Sequence, residues 1–427
     1  MPSARPLFLP IAICLTLTVV LTAASPLFAA DNEKTLKYIW GSPEGGLIFD
    51  AAGNLYGTTN EGGILDCGYN GGCGTVFELT PQGDGTWKKT VLHNFTFHEG
   101  GNPKASLVFD RAGNLYGTTT GCNPDGCNGG SVFELERQAG GKWKCKVLYR
   151  PDQPTGPLIF DHAGNLYGTA ASGGEQENGS VFELIPQANG KWSAKNLYVF
   201  RYGKNGADGY MPVGGLVLDA AGNLYGVTCC GGHSSGLCYS DDNFGCGVVF
   251  ELTPEAGGKW KEHVLHRFNG KDGINPNAGL ISDAAGNLYG TAGGGNSQSC
   301  DGYACGVVFE LVPQGGDKWT EKVLHNFDFS DGSFPSASLI FDSAGNLYGT
   351  TSFGGGPCFD SRGCGTAFEL IPTQNGEWME KVLFKFRGDD GAYPWSNLIF
   401  DSSGNLYGET LSSDGSAGPG TVFELSQ

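Results

Sequence analysis

With 44 acidic against 26 basic side chains in 427 residues, a formal charge of −18 and an isoelectric point near 4.7, this chain repels phosphate backbones over most of its surface, which excludes nucleic acid as a partner. Its 72 glycines far exceed the usual share of about 7%. They recur at fixed places within a periodic apolar pattern, which excludes a low-complexity tract and assigns them to turns.

The first predicted element is a leader. Residues 1–30 open with Arg5, run through the apolar stretch Ile11 to Leu21 and end in Ala29-Ala30 before Asp31, the pattern of a secretory signal peptide cleaved after Ala30, with Ala24 and Ala29 as alternatives. The apolar run is short of the roughly 20 residues that span a bilayer. No other long apolar segment follows, and the chain reaches Gln427 without a C-terminal anchor pattern. Residues 31–427 are therefore expected to be secreted, periplasmic or at the cell surface, with no membrane span after cleavage.

The octapeptide Asp-x-x-Gly-Asn-Leu-Tyr-Gly then begins seven times, at Asp50, Asp110, Asp161, Asp219, Asp283, Asp342 and Asp401, with spacings of 60, 51, 58, 64, 59 and 59 residues. One supersecondary unit is repeated, so residues 31–427 form a single array and not several domains. Each unit resolves into four short strands. In the sixth copy these are Ser338–Asp342, Asn346–Thr351 after a tight turn, Gly365–Leu370 after a Gly-rich loop, and Trp378–Phe386. Aromatic and β-branched residues dominate them, and no stretch longer than about ten residues keeps a helical period. Four antiparallel strands in seven copies predict an all-β fold, a seven-bladed β-propeller.

The ends of the array predict how it closes. Glu33–Ile39 matches the fourth strand of the other copies, whereas the chain finishes at Thr421–Leu425, a third strand. The N-terminal strand is thus expected to complete the last blade, because an open array would need capped ends.

The repeated polar residues have structural readings. Each octapeptide Asp is expected to accept backbone N–H groups two or three residues on, while Gly closes the turn. The Glu of Val-Phe-Glu-Leu (Glu78, Glu134, Glu183, Glu251, Glu310, Glu369 and Glu424) is expected to pair with Lys or backbone on the fourth strand. Strand direction puts these uniform turns on one face. The opposite face carries the second-to-third-strand loops and the connections between repeats, where the copies differ.

Five pairs of cysteines fall in those loops and predict the local disulfides Cys67–Cys73, Cys122–Cys127, Cys238–Cys246, Cys300–Cys305 and Cys358–Cys364. Cys145, Cys229 and Cys230 are left without an assigned partner. The connections carry Asp-Gly-x-x-Pro at Asp208, Asp272, Asp331 and Asp390, with a looser copy at Glu99. These read as turns, with a ring of carboxylates for Ca2+ or a polyhydroxylated ligand as the alternative.

His93, His266 and His325 occupy one repeat position and read as consensus, not as convergent ligands. No catalytic motif and no cofactor site is assigned. Six tryptophans open fourth strands on the uniform face and read as packing. Trp40 and Trp395 lie in connections on the variable face, where an aromatic can serve recognition.

Together, Gly-Asn-Leu-Tyr-Gly-Thr-Thr, the Gly-Gly loop, Gly-Thr-Val-Phe-Glu-Leu, Val-Leu-His-x-Phe and Asp-Gly-x-x-Pro resemble the GloVer tandem repeat of exported bacterial proteins, over about residues 33–427. The resemblance implies an exported repeat protein and brings no established enzymatic activity. The leading expectation is a non-enzymatic binding module, acting as a monomer, whose disulfide-stapled face takes an extracellular protein or polysaccharide ligand. The alternative is a carbohydrate-active lyase or hydrolase with carboxylates at the pore mouth.

Overall fold

The computed structural model describes residues 33–426 except 66–70, 122–128, 175–176, 202–207, 233–237, 239–244, 296–304, 360 and 414–417. The leader and Cys67, Cys122, Cys127 and Cys300 lie outside the described residues.

Alternating short strands build seven four-stranded antiparallel sheets arranged as a β-propeller. The sixth blade shows the pattern. Its strands are Ile340–Phe341, Leu347–Thr351, Thr366–Pro372 and Trp378–Lys385, from the axis outward. The innermost strand is two residues long, shorter than its apolar run, and Ser333 in the connection before it makes an isolated antiparallel bridge to Phe353.

Two glycines explain why the octapeptide is spelled as it is. Gly345 takes φ 87° to close the first turn, a conformation that other residues pay to adopt. Gly349 has no such need, but a Cβ there would lie 2.6 Å from Cζ of Phe368 on the adjacent strand. The ring of the third strand thus occupies the space that a side chain on the second would fill.

Packing is distributed around the ring. Seven apolar clusters are found, each bridging two neighbouring blades; Tyr289, Phe327, Leu339, Leu347 and Phe368, for example, join the fifth blade to the sixth. Tryptophans of the uniform face pack across the same junctions, as Trp378 does on Tyr289 at 6.3 Å. Their reading as packing residues holds.

The seventh blade closes the ring as its ends imply. Glu33–Ile39 pairs antiparallel with Gly420–Leu425, outside Leu406–Thr410 and Ile399–Phe400. Glu33 faces Leu425 as Glu380 faces Leu370, and the register slips opposite Phe423/Val422 as it slips opposite Phe368/Ala367 in the sixth blade. The N-terminal strand therefore reproduces the bulge as well as the pairing of a covalently continuous fourth strand. No described helix is long and apolar enough to cross a membrane.

Candidate functional site

The octapeptide Asp builds the hairpin, with one correction to its spacing. In the sixth copy Asp342 Oδ1 accepts the N–H groups of Ala344 and Asn346, two and four residues on, at 2.8 and 2.9 Å, while Oδ2 accepts Asn346 Nδ2 and the Tyr348 hydroxyl at 2.8 and 3.2 Å. The same hydroxyl lies 2.8 Å from Glu369, so the tyrosine bridges two repeated carboxylates. Burial and the two anions push the Tyr348 phenol well above its ordinary pKa. Lys381 also pairs with Glu369 at 3.4 Å, the partner expected from sequence; the tyrosine was the partner missed. These networks fill the uniform face with scaffolding.

On the opposite face, seven equivalent segments converge on the axis. Each follows a proline (Pro43, Pro103, Pro154, Pro212, Pro276, Pro335 and Pro394) and ends in a leucine (Leu47, Leu107, Leu158, Leu216, Leu280, Leu339 and Leu398) that anchors it in the core. The residue before every one of these prolines has positive φ: Ser42 53°, Asn102 61°, Gln153 49°, Met211 55°, Asn275 53°, Phe334 55° and Tyr393 58°. A left-handed non-glycine residue costs on the order of 1 kcal/mol, so seven of them persist only where surrounding bonds impose the turn.

Those bonds come from the preceding blade and from the second strand of the same blade. Phe334 donates its N–H to the Cys305 carbonyl of the preceding blade at 2.7 Å and accepts from Ser352 N at 3.1 Å. Asn102, Asn275 and Tyr393 bond likewise to the carbonyls of Cys73, Cys246 and Cys364. Each acceptor is the second cysteine of a predicted staple. Cys238–Cys246 and Cys358–Cys364 are formed, and Cys73 and Cys305 are disulfide-bonded. Cys145, Cys229 and Cys230 are free thiols, the last two with sulfurs 2.7 Å apart.

The seven segments enclose an axial pocket of about 300 Å³ that takes wall residues from every blade. The position after each proline carries a different side chain: Glu44, Lys104, Thr155, Val213, Asn277, Ser336 and Trp395. Glu44 pairs with Lys104 at 3.6 Å and accepts Asn60 Nδ2 at 3.0 Å; burial raises its pKa, with the ammonium pulling the other way. The Thr155 hydroxyl is buried at the wall without a hydrogen-bond partner among the described residues. Trp395 is 36% exposed beside the ring of Phe334 at 5.9 Å. Trp40 is 70% exposed but does not line the pocket. A larger crevice of about 400 Å³ lies on the uniform face between the second and third blades, yet its walls are mostly repeat scaffolding such as Asp110, Tyr116, Asp161 and Trp192.

The four Asp-Gly-x-x-Pro aspartates do not converge on this mouth. Each sits at a separate blade junction. Asp272 lies 3.2 Å from His266, Asp331 3.0 Å from His325, and Asp208 3.2 Å from the Tyr198 hydroxyl, while Asp390 accepts the Arg387 N–H at 2.8 Å. Glu99 takes the same place beside His93 at 3.1 Å. The histidines read as bare consensus thus have carboxylate partners six residues on. A third residue joins from the next blade: Glu262, Glu321 and Glu380 approach these pairs, and burial pushes each up to about 7.

One acid breaks the repeat. Glu409 stands where other copies have Thr58, Thr118, Thr169, Val227, Thr291 and Thr350, is 1% exposed, and accepts the Gly46 N–H at 3.0 Å with Oε2. Its Oε1 has no hydrogen-bond partner among the described residues, and burial pushes its pKa up to about 8. It was not singled out from sequence, although its departure from the Thr that follows the octapeptide in five other copies was the available signal.

Comparison with known proteins adds family and fold. The sequence pattern of a family described as the Gloeobacter/Verrucomicrobia repeat matches residues 29–238 and 231–427. None of the curated proteins matches the chain. Among solved structures, the extracellular domain of a protein described as a hybrid two-component system from B. thetaiotaomicron is 12% identical with a TM-score of 0.53, covering 92% of this chain and 41% of that one. A gluconolactonase from Xanthomonas campestris is 15% identical with a TM-score of 0.42, covering 74% and 85%. This chain spans under half of the first of these, and at 12% identity that likeness extends to fold alone.

Proposed function

The chain belongs to the Gloeobacter/Verrucomicrobia repeat family, and from that premise we propose that it is an exported, non-enzymatic binding module whose axial pocket takes a neutral, polyhydroxylated ligand such as the end of a polysaccharide. One observation carries the reading. At a single pseudo-sevenfold position, held on strained but uniform backbone, seven different side chains meet in one cavity. A purely structural ring would have no reason to diversify that position while keeping the leucine three residues later. Amides, hydroxyls and one aromatic face suit a sugar, and the paired Glu44 and Lys104 leave little net charge to attract an ion. Disulfide staples behind the pocket fit an oxidising, extracytoplasmic compartment.

The carbohydrate-active enzyme reading asks for two acids, about 5 to 9.5 Å apart across a glycosidic bond. Among the described lining residues Glu44 is the one carboxylate. To test the binding reading, the oxidised mature chain is screened on an oligosaccharide array beside Trp395→Ala and Asn277→Ala. Retention of specific glycans by the wild type, weakened at least about tenfold in either variant at unchanged melting temperature, is the expected outcome. Equal retention by all three proteins, or turnover of a bound glycan, contradicts it.

A further inference from the structure

Three blade junctions bring together donors that the sequence scatters over two repeats. His266 and Asp272 lie beside Glu321, His325 and Asp331 beside Glu380, and His93 and Glu99 beside Cys145, with one donor atom from each residue within 4.8 Å of the others. In each set the histidine closes the outer strand of one blade, the acid follows six residues on in the connection, and the third group stands on the outer strand of the next blade. From this geometry we propose that each of these three junctions binds a divalent transition-metal ion of the zinc class, clipping adjacent blades together.

Three observations support it. The histidine Nε2 to carboxylate separations are 3.2, 3.0 and 3.1 Å, hydrogen-bond lengths that also fit the edge of about 3.3 Å between donors held tetrahedrally at about 2.0 Å from one ion. Glu321 Oε1 and Glu380 Oε1 are buried with no hydrogen-bond partner among the described residues, as is Glu262 Oε1 at the junction that lacks a histidine, so a carboxylate oxygen is left open to a ligand at each. And the same constellation is built twice, with a thiol replacing the carboxylate in the third case. Imidazole with two carboxylates, or with one carboxylate and a thiol, is a zinc-type donor set. Calcium prefers six to eight oxygens, which none of the sets supplies. Binding requires each histidine to carry its remaining proton on Nδ1, leaving the Nε2 lone pair for the metal. Cys145 would release its proton on coordination.

The junction between the third and fourth blades supplies a built-in control. There Tyr198 replaces the histidine opposite Asp208 and Glu262, and Glu262 Oε1 is likewise unpartnered. The mature chain is stripped with chelator, and metal content and melting temperature are measured after dialysis against Zn2+, Co2+ or Ca2+. About three equivalents of Zn2+ or Co2+ are expected, with a raised melting temperature and no response to Ca2+. A thiolate-to-cobalt charge-transfer band should vanish in Cys145→Ser. His325→Gln should lose one equivalent, and Tyr198→His should gain one. Binding that is absent in the wild type, or unchanged in both variants, overturns the proposal; the gain expected in Tyr198→His guards against a loss caused by misfolding alone.

Discussion

Glu409 is a carboxyl group placed where five other repeats carry threonine, and its behaviour follows from what threonine does there. Thr169 and Thr350 donate to the carbonyls of Gly214 and Ser396 in the next blade, at 3.1 and 3.4 Å. Glu409 instead faces Gly57 and the half-buried Lys89, whose ammonium lies over Phe77 at 5.0 Å. Its folded pKa, about 8, is raised above the 4.5 of the unfolded chain, so the native state binds the proton more tightly. Its neutral form is accommodated at low pH, and stability falls as pH rises from about 4.5 to about 8, by at most about 1.4 kcal/mol per unit. Glu409→Thr should therefore raise the melting temperature by several degrees at pH 8 and by much less at pH 5. Equal shifts at both values would contradict the assignment.

At the scale of the element, the N-terminal strand is the seam of the ring. Leu36 and Ile39 are buried in the cluster that joins the seventh blade to the first. Burial of two such side chains alone is worth about 3 to 6 kcal/mol. A chain lacking residues 31–41 should melt at a markedly lower temperature, in one transition that includes distant blades; an unchanged melting temperature would sink the closure. This strand, the blade number and the loop disulfides Cys238–Cys246 and Cys358–Cys364 were legible because each repeats a local pattern against a fixed period. The junction clusters were not. His266 and Asp272 advertise themselves by a six-residue spacing that recurs at His93 and His325, but Glu321 meets them only through blade-to-blade packing, which no local pattern records. Likewise the pairing of Tyr348 with both Asp342 and Glu369 depends on strand register, and so the sequence pointed to lysine or backbone on the fourth strand instead.

The whole molecule divides its labour between two faces. Uniform Asp–Tyr–Glu networks stiffen one side of every blade, and their sameness leaves little to distinguish one ligand approach from another. The other side uses left-handed turns, four of them bonded to disulfide cysteines, to hold seven unlike residues around an axis, the rigid support that the proposed binding site needs. Trp395 was legible as a candidate because it sits in a connection on the variable face. Glu44, Lys104, Thr155, Asn277 and Ser336 were not, since each looks ordinary until the ring superposes their positions. The tryptophans report on this division directly: Trp395 lines the axial pocket, while Trp87, Trp143, Trp192, Trp260, Trp319 and Trp378 open outer strands at the uniform face. Titration of the 15N-labelled mature chain with a panel of neutral oligosaccharides, read at the indole N–H signals, should move the Trp395 resonance with saturable concentration dependence and leave those six in place. Movement of the six without Trp395, or no movement at any indole across the panel, would contradict the axial binding site.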